Sequence, residues 1–85
     1  MDTTNSLPVV VYTTPGCPQC NLTKKWLESN GVQHRIYDVT EDTIALQKIK
    51  QMGYKAAPVV IVPFDWPIAG EHWYGFRPDM LAKLL

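Results

Sequence analysis

Two cysteines, no surplus of charge and no long apolar run: what this 85-residue sequence has little of narrows its class most. Eight lysines and arginines balance eight aspartates and glutamates. No electrostatic case therefore exists for nucleic acid or an anionic membrane as partner. Apolar runs last only a few residues, far below the roughly 18 that suggest a membrane span. Met1-Asp-Thr-Thr-Asn-Ser6 has no basic stretch and no apolar centre, so it does not read as a secretory signal. The expected location is the cytoplasm.

The cysteine count excludes as much. A small secreted domain typically carries about four to eight cysteines at scattered spacings. Here the only two, Cys17 and Cys20, stand three residues apart in Cys-Pro-Gln-Cys. Cytoplasmic thiols are kept reduced, and disulfides formed there are mostly transient and catalytic. Spacing and compartment argue for chemistry over stapling.

What is present suffices for one small core. The chain is 46% hydrophobic, enough to fold rather than stay disordered, and too short for a second core. Residues 1–7 are polar and without period and read as a loose leader; residues 8–85 read as a single domain. Pro8-Val-Val-Val-Tyr12 is rich in β-branched residues and suits a buried strand. Thr13-Thr-Pro-Gly16 reads as a turn, and Pro18 fits the first position of a helix running to about Asn30. Cys20, Thr23, Trp26 and Leu27 fall near one face of that helix, and Asn30-Gly31 ends it. His34 to Val39 reads as a second strand. Thr40 reads as the cap of a second helix, with Glu41 and Asp42 in its first turn. Ile44, Ala45, Ile49 and Met52 form its apolar face, and Gly53 closes it. Pro58 to Val62 reads as a third strand, His72 to Tyr74 as a fourth, and Pro78 to Leu85 as a third helix. The order β-α-β-α-β-β-α predicts an α/β domain with a small mixed four-stranded sheet, the minimal thioredoxin-like layout.

In that layout Cys-Pro-Gln-Cys lies between the first strand and the first helix. The thiolate is the attacking species in disulfide exchange, and a free cysteine with pKa ~8.5 is mostly protonated at neutral pH. Unpaired N–H groups and the dipole at a helix start favour a negative charge there. Cys17 is therefore the expected nucleophile. Cys20, one turn in, is the expected resolving thiol that attacks the mixed disulfide. The first strand offers no carboxylate as a base for Cys20, and Lys24 reads as a solvated lysine or a weak electrostatic aid. A zinc site needs four ligands; only His34 and His72 stand available, without paired spacing. An inert structural disulfide is the other bland reading.

Three segments carry a resemblance to a known family. Val11-Tyr-Thr-Thr-Pro-Gly-Cys17-Pro-Gln-Cys20, Ala57-Pro58-Val-Val and Trp73-Tyr-Gly-Phe-Arg-Pro-Asp79 resemble NrdH-redoxins, over nearly the whole chain from Val9 onward. Gln19 and the Trp-x-Gly-Phe-Arg-Pro-Asp run are the specific parts. The resemblance implies a cis peptide before Pro58, opening the strand that faces the cysteines. It implies partner contacts at Pro18, Gln19, Ala57, Pro58, Trp73, Gly75, Phe76, Arg77 and Asp79. It also implies a monomeric electron donor, without bound cofactor, for the large subunit of class Ib ribonucleotide reductase. Thioredoxin reductase would recharge it from NADPH.

Glutathione-using glutaredoxins differ at four places. They often have tyrosine where this chain has Gln19, and a basic residue where it has Thr14. They usually have Thr-Val-Pro where it has Ala56-Ala57-Pro58, and a Gly-Gly-x-Asp clamp where it has Tyr74 to Asp79. The competing readings are a glutathione-dependent glutaredoxin and a non-enzymatic redox-sensing module. Trp73 and Phe76 also admit a core-capping role, and Arg77 and Asp79 a local pair. The connection from Val62 to Gly70 is longer than the family pattern, and its Phe64 and Trp66 read either as a partner contact or as cover for the sheet edge.

Overall fold

The structure is a computed structural model, and residues 7–85 are described. Val9–Thr13 forms β1, whose near-continuous burial is what a central strand covered on both faces requires. It pairs in parallel with β2, His34–Asp38, and antiparallel with β3, Val59–Ile61. β3 pairs antiparallel with β4, His72–Tyr74, which gives the mixed order β2-β1-β3-β4. The α/β thioredoxin-like architecture expected from the sequence is the one observed.

Alternation along the strands divides the core in two. Val9, Val11, Val60, Val62 and Trp73 pack with Leu27, Leu81 and Leu84 on one face. Tyr12 and Val59 pack with Val39, Ala45 and Ile49 on the other. Helix α1, Pro18–Ser29, buries Cys20, Thr23 and Leu27, the spacing that keeps one helical face inward. Asn30 caps it. Gly31 then takes φ +66°, a left-handed turn open to glycine at little cost.

The second helix departs from its sequence reading. Thr40 spends both its N–H and its hydroxyl on Asp38 Oδ1, at 2.8 and 2.6 Å, so it closes a turn and caps nothing. Asp42 is the cap instead, its carboxylate accepting the Ala45 N–H at 3.0 Å. Helix α2 therefore runs Thr43–Gln51, and Glu41 and Asp42 precede its first turn. Its inward face is Ala45 and Ile49 with Leu46 beside them, whereas Ile44 is 78% exposed. The last helix, α3, is a single turn over Pro78–Leu81, followed by a 3₁₀ turn at Ala82–Leu84.

The chain entry also differs from expectation. Leu7, read as leader, is hydrogen-bonded on both sides: its N–H donates to Asp65 Oδ2 and its carbonyl accepts from Trp66 Nε1, each at 2.6 Å. The rest of the leader reading, residues 1–6, lies outside the described residues.

Candidate active site

Three segments converge beyond the end of β1. The first is the cysteine loop. Cys17 is the residue before helix α1, with extended backbone (φ −99°, ψ 107°), and Pro18 follows in the first turn. Pro18 keeps the helical φ and gives up an N–H that would have had no intrahelical partner. Cys17 Sγ accepts the Cys20 N–H at 3.1 Å, so the sulfur itself caps the helix. Cys17 and Cys20 are joined as a disulfide with Cα atoms 5.2 Å apart. Cys20 is 1% exposed while Cys17 is half-buried, so an incoming group reaches Cys17. In the reduced protein a Cys17 thiolate would face the free N–H groups of the first turn, where no acidic side chain opposes it.

The second segment is Ala57-Pro58, joined by a cis peptide as the resemblance implied. The Ala57 carbonyl oxygen lies 3.8 Å from Cys17 Sγ. Pro58 is fully buried and leads directly into β3.

The third segment is Gly75-Phe76, just past β4. The Gly75 N–H donates to the Pro58 carbonyl at 2.8 Å. The Phe76 N–H donates to Gln19 Oε1 at 3.0 Å. Gly75 has φ +89°, and a Cβ added there would stand 3.0 Å from Gln19 Oε1. Backbone conformation and close approach both call for glycine at this point.

The structure thus brings Cys17, Cys20, Gln19, Ala57, Pro58, Gly75 and Phe76 together. The remaining sequence-named residues lie differently. Pro18 is on the surface, in the first turn of α1. Trp73 is 4% exposed and packs the core, with Nε1 finding no hydrogen-bond partner among the described residues. Arg77 and Asp79 face each other in a two-point pair, Nε to Oδ1 at 3.0 Å and Nη2 to Oδ2 at 2.8 Å. The hydrogen bond from Arg77 holds the Asp79 carboxyl down at about 2, and the guanidinium is raised in turn. The pair is exposed. It follows the local reading and makes Asp79 the carboxylate that Arg77 engages.

Two further contacts escaped the sequence. Thr23 Oγ1–H donates to the Gln19 carbonyl at 2.9 Å from a fully buried position. Its signal was the i to i+4 spacing of a hydroxyl and a helical carbonyl. Tyr54 Oη lies 2.6 Å from His72 Nδ1, joining the loop before Ala57 to β4. No spacing rule would have found that pair. His34 bonds locally to the Val32 carbonyl. No cluster of three or more His, Cys, Asp or Glu side chains suited to a metal occurs among the described residues.

The long connection lies at the other pole. Tyr12 is paired with Val59 and Val10 with Ile61. Residues 62–70 therefore leave the sheet where β1 begins, away from Cys17. Trp66 and Ile68 pack on the core, which fits the covering role, while Phe64 is 89% exposed and covers nothing.

A mixed four-stranded sheet with a helix-capping disulfide opposite a cis-proline defines a thioredoxin-like dithiol protein. The glutaredoxin family model matches residues 9–65. The glutaredoxin-like protein NrdH of Lactococcus lactis subsp. cremoris (strain MG1363) is 37% identical over 76 residues, spanning 89% of this chain and 97% of that protein. The NrdH protein of Escherichia coli (strain K12) is 34% identical over 77 residues, spanning 89% and 86%. Among solved structures, NrdH-redoxin from Escherichia coli, a glutaredoxin-like protein with a thioredoxin-like activity profile, superposes with a TM-score of 0.81. It does so at 32% identity, over 93% of this chain and 96% of that one. The chain belongs to the glutaredoxin family, among its NrdH-type glutaredoxin-like proteins, and is a thiol–disulfide oxidoreductase.

Proposed function

We propose that the chain is a cytoplasmic, monomeric dithiol carrier that delivers electrons to the large subunit of class Ib ribonucleotide reductase and is recharged by thioredoxin reductase. In the reduced form the Cys17 thiolate attacks one sulfur of the client disulfide. A mixed disulfide forms and one client thiolate leaves. Cys20, deprotonated, then attacks the Cys17 sulfur, closing the Cys17–Cys20 bond and releasing the second client thiolate. Two electrons pass to the client. Thioredoxin reductase returns two from NADPH.

The observation that carries this reading is the accessibility difference at the disulfide: half-buried Cys17 caps the helix and Cys20 is sealed beneath it. That asymmetry suits an attacking and a resolving thiol. Preference for thioredoxin reductase over glutathione rests on charge. Thr14 supplies no cation before Cys17, Arg77 is already engaged by Asp79, and the Phe76 N–H by Gln19. At these three places the cation is absent or engaged and the N–H is taken, which disfavours a charged tripeptide there. The thioredoxin-like activity profile of the Escherichia coli relative points the same way.

The test is turnover of class Ib ribonucleotide reductase with this protein as the electron donor, under NADPH and thioredoxin reductase. Turnover that depends on the added protein supports the reading. Equal turnover without it, or with the Cys17→Ser variant, would remove it.

A further inference from the structure

Gln19 stands between the two cysteines, yet its side chain is committed to another part of the chain. Its Oε1 accepts the N–H of Phe76, 57 positions onward, at 3.0 Å. Its own carbonyl accepts the hydroxyl of fully buried Thr23 at 2.9 Å, so the backbone carrying that side chain is fixed from inside the helix. On the far side, Gly75 donates to the Pro58 carbonyl at 2.8 Å. The Gly75-Phe76 step is thus held between the cysteine loop and the cis-proline strand, the two segments that flank Cys17. Its Phe76 ring packs against the core.

We propose that Gln19 is a positioning residue for protein substrates: by holding the Phe76 N–H it fixes the Gly75-Phe76 segment as a preformed wall beside Cys17. Without the acceptor, the segment must be ordered when a protein disulfide binds, and ordering cost appears in affinity. The chemical step itself, between sulfurs, is untouched. The predicted signature is a rise in KM with kcat held. The inference rests on the dithiol exchange and not on which client the cell provides, so failure of the ribonucleotide reductase reading would leave its test intact.

That test is reduction of insulin disulfides with saturating dithiothreitol as reductant. Gln19→Met keeps the length of the side chain and removes the acceptor. Its KM should rise about fivefold, equivalent to about 1 kcal/mol for one neutral hydrogen bond, with kcat within about twofold of wild type. Gln19→Glu restores an acceptor oxygen and should return KM to within about twofold, while its charge, opposing the Cys17 thiolate in the first turn, lowers kcat alone. A cycle checks the contact from the other side. Gly75→Ala carries left-handed strain in any background, but its Cβ meets Oε1 only when Gln19 is present. Its effect on KM should therefore be smaller in a Gln19→Ala protein. If Gly75→Ala fails to fold, the Met and Glu variants decide alone. A wild-type KM for Gln19→Met, an equal rise of KM in the Met and Glu variants, or a fall in kcat at constant KM for Gln19→Met would each overturn the proposal.

Discussion

The two poles of the sheet are built on opposite plans. At the pole where β1 ends, Cys17, Pro58 and Gly75-Phe76 are joined by short polar links: 3.1 Å from Cys20 N–H to sulfur, 2.8 Å from Gly75 to Pro58 and 3.0 Å from Phe76 to Gln19. At the pole where β1 begins, Trp66 and Ile68 close the core with apolar surface, and Leu7 is tied to Asp65 and Trp66. The first arrangement fixes geometry around a reactive sulfur. The second holds the chain together far from it. Chemistry and stability are therefore expected to separate by pole.

The largest effect that sharpens this contrast is at the sulfur. Cys17→Ser should lower disulfide exchange by roughly 10³-fold or more, read by insulin reduction, while secondary structure by circular dichroism stays native. Next comes the far pole. Trp66→Ala removes core cover and the bond to Leu7, and should cost roughly 1–3 kcal/mol of unfolding free energy in denaturant titration. An 85-residue domain has only about 4–13 kcal/mol in total, so the loss will be plain. Exchange measured below the transition should stay within about twofold. A parallel fall in activity would break the contrast.

Smaller is the exposed pair near the site. Asp79 is held at about 2 by Arg77, below the ordinary 3.8. A carboxylate whose pKa falls on folding adds stability above its unfolded value and loses it as pH drops through its folded value. The stability difference between wild type and Asp79→Asn should therefore be constant above about pH 4 and vanish as the solution approaches pH 2. Denaturation midpoints along that range, repeated at high salt, read it. Smallest of all is Phe64→Ser at the far pole, within about 0.5 kcal/mol and without effect on exchange. A marked loss of turnover with a protein partner would instead make this exposed ring a contact.

Much of this was readable in the chain because the signals were local. The Val-rich runs became β1 and β3, and the spacing of Cys20, Thr23 and Leu27 became the inward face of α1. A CxxC with proline second placed the sulfurs at a helix start. The misreadings have physical causes too. Asp38, Thr40 and Asp42 all offer capping oxygens within five residues, and the competition went to Asp42 because Asp38 had already claimed Thr40. Ile44 was counted inward, but its place on the helix faces water. The polar links of the site were beyond reach, since Gln19 and Phe76 are 57 positions apart and no periodicity connects them. Leu7 escaped for the same reason, its partner Asp65 lying 58 positions away.

The most direct measurement is NADPH oxidation with the oxidised protein offered thioredoxin reductase, or glutathione with glutathione reductase, and Cys17→Ser as the control. Fast turnover with thioredoxin reductase alone, lost in the variant, is the predicted result. Turnover through glutathione alone, or through neither system, would contradict the account.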